Sequence, residues 1–340
     1  MPGKKPLSEQ VVVVAGGSYG LGRAIAELAA QRGACVVIGA RTREALDSAG
    51  VELALETDVA EGSQVERLVA ATVERFGRID TYVANAMVTV YAEAHRLEDD
   101  ELRRVFDVNF FGSVYGYWAA LPHLRESRGT FVQIASALSY RGIPLQAAYC
   151  ATKAALRTFL ESARVELEKE GSGVDVSVIL PGAVNTPQFD RARQKMGLQP
   201  QPVPPIYQPE PFAEAVLHCF EHPIRELPIG WGAQKLLWGQ KLSPRAGDLV
   251  LLRNGWKGQH TDELKPTDSP DNLFAPMPGD PGAHGRFDEQ SRGSTLWTWL
   301  RLHRGTLGAG LGLGTMGLLG GLRGRSSPRN GMSQGWRFLS

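Results

Sequence analysis

The 340-residue chain is short of cysteine: it has three, Cys35, Cys150 and Cys219. An odd count at no metal-ligand spacing excludes a disulfide framework and a cysteine-built metal site. Small buried thiols in a reducing compartment are expected instead. A secretory signal is also missing, because residues 1–10 are polar and only a short valine run follows. A cytoplasmic location is therefore expected. Nor is there a charge excess. The 37 Lys and Arg against 36 Asp and Glu leave +1, whereas a dedicated nucleic-acid binder would carry a basic surplus. No tandem repeat appears. One local absence stands out: residues 290–340 hold seven Arg and no Lys, Asp or Glu, so the preceding part carries −6.

What is present is a core-forming composition, 43% apolar and 21% charged. Short apolar runs at 11–15, 35–38, 79–84, 131–134 and 174–180 alternate with helical patterns at 21–32 and 64–76. Strands this apolar, separated by helices, belong to a parallel sheet covered on both faces. The expected fold is α/β, a Rossmann-type doubly wound sheet, with sites at the carboxyl ends of its strands. Between Thr186 and Pro211 seven prolines break the alternation, which predicts a long loop able to act as a lid. A helix resumes at 212–221, and 224–229 reads as a last strand. A single domain over 1–241 is expected, followed by an extension over 242–340. Residues 257–292, rich in Pro, Gly, Asp and His, should be irregular and wrapped on the core.

The first strand runs into Gly16-Gly17-Ser18-Tyr19-Gly20-Leu21-Gly22. Glycines there permit a tight turn and a close backbone approach to a pyrophosphate, and the helix that follows offers N–H donors and its positive dipole end. Further on stand Asp58-Val59, Asn109 within Asp107-Val108-Asn109-Phe110, Ser136, Tyr149-Cys150-Ala151-Thr152-Lys153, and Pro181-Gly182 with Thr186. In order and spacing these resemble the motifs of the short-chain dehydrogenase/reductase family over residues 10–230. The resemblance implies a catalytic set of Asn109, Ser136, Tyr149 and Lys153, with Asn109 holding a water in a proton relay that reaches Lys153. It implies cofactor contacts from Gly16, Ser18, Tyr19, Gly20, Leu21, Gly22, Arg41, Asp58, Val59, Asn85, Ala86, Tyr149, Lys153, Pro181, Gly182, Val184 and Thr186. A homodimer or homotetramer is likewise implied. Three positions depart from the family pattern: Ala15 stands where Thr is usual, and Ala84-Asn85-Ala86-Met87 stands where Asn-Asn-Ala-Gly is usual, with Ala84 for Asn and Met87 for Gly.

The chemistry can be read from the residues themselves. Tyr149 and Lys153, four apart, share a helix face. A nearby ammonium favours the phenolate, so Lys153 should lower the pKa of Tyr149 and make it a usable general acid/base. Ser136 can orient a substrate oxygen. The second strand ends Gly39-Ala40-Arg41 with no acid, and an arginine there suits a 2′-phosphate. NADP(H) is therefore expected over NAD(H), in an oxidoreductase acting on a CH–OH group (EC 1.1.1.-). The substrate is a small-molecule alcohol or carbonyl in a pocket shaped by Leu138, Ile143, Gln146 and the 187–210 loop. No nucleic-acid partner is expected. The alternative is a sensor or scaffold that binds the dinucleotide without turnover. Residues 305–322 are uncharged, with eight Gly and six Leu. That glycine content disfavours a membrane-spanning helix, and a flexible or partner-docked tail is expected over membrane contact.

Overall fold

The computed structural model describes residues 4–302. The core is a parallel sheet of seven strands: β1 (Val11–Ala15), β2 (Cys35–Ala40), β3 (Leu53–Glu56), β4 (Thr81–Ala84), β5 (Thr130–Ile134), β6 (Asp175–Pro181) and β7 (Glu226–Ile229). Their order is β7-β6-β5-β4-β1-β2-β3, every pair parallel. The chain starts at the centre with β1 and winds outward both ways, so a crevice opens between β1 and β4 at their carboxyl ends. Strands β1, β4 and β5 are buried along their whole length, as a sheet covered on both faces requires.

The main helices are α1 (Gly20–Gln31), α2 (Gly62–Phe76), α3 (Asp99–Phe106), α4 (Gly112–Ser127), α5 (Ala147–Glu170), α6 (Glu210–Glu221), α7 (Trp231–Leu242) and α8 (Pro244–Asn254). A π-helical turn, Asp107–Phe111, joins α3 to α4. All six strands expected from the apolar runs are in the sheet. β3 was not expected, because its Leu-Ala-Leu-Glu is half exposed at the sheet edge and makes no apolar run.

The 187–210 stretch is not a plain loop. It contains the helical turn Gln188–Arg191 and short strands at Arg193–Gln194, Leu198–Pro200 and Ile206–Tyr207. These pair respectively with Val90–Tyr91, with His260–Leu264, and with both Ala183–Val184 and Ser291–Arg292. The extension likewise opens with a regular helix, α8, and residues 242–298 pack in one compact unit with the sheet, Met1–Thr298. The second unit begins at Trp299, and only the end of the helix Leu296–Leu302 is described in it. The 305–322 segment lies outside the described residues. Among those described, no helix is long and apolar enough to cross a membrane.

Candidate active site

A cavity of about 430 Å³ runs along the carboxyl ends of the strands, from Arg41 to Tyr149. That volume is within the range of small-molecule and cofactor sites.

One end is built by the glycine turn. Gly16 (φ +87°) and Gly20 (φ +61°) hold backbone conformations that disfavour a side chain. A Cβ on Gly16 would lie 2.5 Å from the backbone N of Ala86. Ser18, Tyr19, Gly20 and Leu21 line the cavity where α1 begins. Gly22 does not line it. A Cβ there would lie 2.1 Å from the Gly16 carbonyl oxygen and 2.4 Å from Asn85 Nδ2, so Gly22 lets α1 pack under the turn. Asn85 Nδ2 in turn donates to the Gly16 carbonyl at 2.7 Å. Arg41, Asp58, Val59, Asn85, Ala86, Pro181, Gly182, Val184 and Thr186 all border the same cavity, as does Met87. The Asp58 carboxylate pairs with Arg104 at 2.6 Å and accepts from the Ala60 N–H at 3.0 Å. A backbone cradle at a helix N-terminus, with a guanidinium at the end of β2, fits an extended dinucleotide.

The other end is built by α5. Tyr149 and Lys153 project one turn apart, and Ser136 faces them from the loop after β5. Lys153 is 1% exposed. Its Nζ donates to the Ile134 carbonyl at 2.8 Å and lies 5.7 Å from the centre of the Tyr149 ring. The electrostatics correct the sequence expectation. Burial pushes the Tyr149 phenol up to about 12, with a hydrogen bond from Ser136 pulling the other way. Burial also pulls Lys153 down to about 7. Without cofactor, loss of water disfavours both charged forms.

Asn109 is fully buried in the π-helical turn and does not border the cavity. Its Oδ1 accepts from the Val88 N–H at 2.8 Å. Its Nδ2 donates to the Val88 carbonyl at 3.0 Å and to Thr152 Oγ1 at 3.2 Å. Thr152 Oγ1 donates on to the Tyr149 carbonyl at 2.8 Å. Both amide hydrogens are thus spent on a brace between the loop after β4 and the helix that carries Tyr149. π-Turns of this kind often occur where a helix must place a functional side chain.

Sequence reasoning missed three contributors. Tyr91, 1% exposed, borders the cavity beside Tyr149, and burial raises its pKa while a hydrogen bond with the Gln188 side chain opposes the rise. Gln259, from the extension, accepts from Gln146 Nε2 at 2.7 Å and donates to the Pro144 carbonyl at 2.7 Å, closing the wall behind Tyr149. Asn272, also from the extension, borders the cavity at the Arg41 end. None carries a spacing signal. Of the pocket residues that were expected, Leu138, Ile143 and Gln146 border the cavity.

Comparison with known proteins fits this geometry. Residues 10–197 match the family model for short chain dehydrogenases. The chain is 36% identical over 269 residues to the uncharacterized oxidoreductase YxnA of Bacillus subtilis, covering 76% of each chain. That share of this chain is larger than residues 1–241 alone make up. It is 36% identical over 188 residues to 11-beta-hydroxysteroid dehydrogenase 1A of Arabidopsis thaliana, covering 52% of this chain and 53% of that one. Among solved structures, a short chain dehydrogenase from Burkholderia cenocepacia in complex with NADP superposes with a TM-score of 0.63 at 27% identity, covering 73% of this chain and 99% of the other. With more than half of its length matched to the family model, and that match spanning both ends of the cavity, the chain belongs to the short-chain dehydrogenase family.

Proposed function

We propose that this protein is an NADP(H)-dependent oxidoreductase that interconverts an alcohol and a carbonyl. The observation that carries the reading is one continuous cavity with a glycine cradle and Arg41 at one end and Ser136, Tyr149 and Lys153 at the other. When bound, the nicotinamide supplies the hydride donor or acceptor. The protein does the rest. Tyr149 holds the proton that moves to or from the substrate oxygen. Its raised pKa keeps the phenol protonated at neutral pH, the form that can donate during carbonyl reduction. Ser136 orients the same oxygen, Lys153 sets the charge beneath Tyr149, and Asn109 positions α5 through Val88 and Thr152.

The preference for the phosphorylated cofactor rests on Arg41, a permanent planar cation where no acid closes the strand end. The NADP-bound Burkholderia relative supports it. The substrate end is bordered by Leu138, Ile143, Val203, Leu236, Val250 and Leu251, which suits an apolar alcohol or ketone. Relatives named as hydroxysteroid dehydrogenases point the same way. Three free thiols suit a reducing cytoplasm, and assembly as a homodimer or homotetramer is part of the same reading.

A screen of alcohols and ketones with both cofactors tests it, followed by Tyr149→Phe on any substrate found. Turnover should fall by roughly 10² to 10⁴ while NADPH binding survives. Unchanged turnover would remove Tyr149 as the acid/base. Tight cofactor binding with no turnover anywhere in the screen would favour the sensor reading. For Arg41→Ala, titrations should show a much larger loss of affinity for NADPH than for NADH, and equal losses would sink the cofactor assignment.

A further inference from the structure

The extension returns across the cofactor end of the cavity. Residues 271–287 form a strap fixed to both lips. On the β2 side, Arg41 Nη2 donates to the Asn272 carbonyl at 2.6 Å and Thr42 Oγ1 to the Met277 carbonyl at 3.4 Å. On the far side, Arg191 Nη1 donates to the Met277 carbonyl at 3.1 Å, and the Phe287 N–H donates to Asn185 Oδ1 at 3.1 Å. Between the lips, the Gly20 N–H that opens α1 donates to the Gly282 carbonyl at 3.0 Å. The crossing is tight. A Cβ on Gly285 would lie 2.6 Å from the Thr186 carbonyl oxygen.

Within this strap Asn272 is 5% exposed and borders the cavity. Its backbone is fully used: the N–H donates to the Arg191 carbonyl at 2.9 Å, and the carbonyl accepts from Arg41. Its side chain is half used. Nδ2 donates to the Tyr19 hydroxyl at 2.9 Å, while Oδ1 is buried with no hydrogen-bond partner. A buried amide oxygen left unmade is costly, and such groups in folded proteins ordinarily have a partner. Turning the amide over would give Oδ1 the Tyr19 hydroxyl and leave Nδ2 unmatched instead. Either way one end of the amide is left with its bond unmade, in a residue that borders the cavity. A sugar hydroxyl, both donor and acceptor, satisfies either orientation.

We infer that the strap is a wall of the cofactor site and that Asn272 binds the 3′-hydroxyl of the adenosine ribose. The inference rests on the dinucleotide reading of the cavity given above. The place fits the chemistry. Asn272 sits between Tyr19 of the glycine turn and Arg41 at the end of β2, where the adenosine ribose of a dinucleotide lies in a doubly wound sheet. Arg41 remains at the 2′ position, so the two residues divide the ribose between them. The 3′-hydroxyl is common to both cofactors, so Asn272 adds affinity without adding preference.

The test uses the full chain and fluorescence titration with NADPH and with NADH. Asn272→Ala should weaken both by about tenfold, the scale of one lost hydrogen bond from a buried group. NADPH should also leave the variant faster in a stopped-flow displacement. A loss confined to one cofactor, or unchanged affinity for both, would overturn the assignment to the 3′-hydroxyl. A second measurement needs no substitution: hydrogen–deuterium exchange of the wild-type protein. Peptides covering 271–287 should exchange more slowly with NADPH bound, and unchanged exchange there would overturn the strap's role. If the wild-type protein binds neither cofactor, the dinucleotide reading itself fails, a result distinct from these.

Discussion

Lys153 lies beneath the cavity with its ammonium directed at the Ile134 carbonyl, and its surroundings tie stability to pH. In the unfolded chain a lysine keeps its proton up to about 10.4. In the folded protein without cofactor, burial brings that value down to about 7. Between the two, the unfolded state binds more protons, so raising the pH across this window favours folding. Lys153→Met removes the group. The stability of the wild type relative to this variant should therefore rise with pH from 7 to 10, by up to about 1.4 kcal/mol per pH unit. Urea unfolding at several pH values, without cofactor, reads this directly, and a flat difference would refute the buried-lysine account. At this scale the sequence was informative where identity and spacing carry the chemistry, as for Tyr149, Lys153 and Ser136. It was silent on Tyr91 and Asn272. A tyrosine in a two-residue strand and an asparagine in a proline-rich stretch match no periodic pattern. It misjudged the Tyr149 phenol because a linear chain shows which charges are near but not how little water surrounds them.

Helices and strands were legible where they are long, apolar and central. Six of the seven sheet strands follow from their apolar runs, while the edge strand Leu53–Glu56 does not. The strap was expected only as irregular chain wrapped on the core. Its anchors are largely backbone carbonyls, those of Asn272, Met277 and Gly282, and a carbonyl leaves no mark in a sequence. The glycine turn illustrates the opposite case, in which a missing side chain is the signal. Gly22→Ala would drive a Cβ against the Gly16 carbonyl, a backbone atom that cannot swing aside. Overpacking of this kind should cost about 1–3 kcal/mol and weaken cofactor binding by displacing the turn. Thermal or urea unfolding checks the first effect and titration the second. A stability change below about 0.5 kcal/mol would mean the α1 contact is looser than described.

Over the whole molecule, the proposed homo-oligomer calls for a seam, and the outer face of α4 with the π-helical turn before it supplies the aromatic surface for one. Phe111, Tyr115 and Trp118 form a continuous aromatic row, with ring centres 6.3 Å and 6.1 Å apart. Trp118 is 58% exposed, and Val165 on α5 is 60% exposed. Large rings left facing water in this way mark association surfaces. Trp118→Glu should lower the mass seen by light scattering from that of an oligomer to that of one chain. A wild-type protein already monomeric at working concentration would refute the homo-oligomer reading.

The strap also imposes an order in time. Tyr19 and Asn272 are bonded across 253 residues of sequence. The ribosome delivers the glycine turn early and the strap only after the last sheet strand has left the tunnel. For that interval the growing chain holds every strand of the sheet and a trough with no roof. Closing a loop this long costs more entropy than closing a local one, although the cost grows only slowly with length. A nucleotide arriving during synthesis meets an open trough. One arriving at the finished protein meets a covered one.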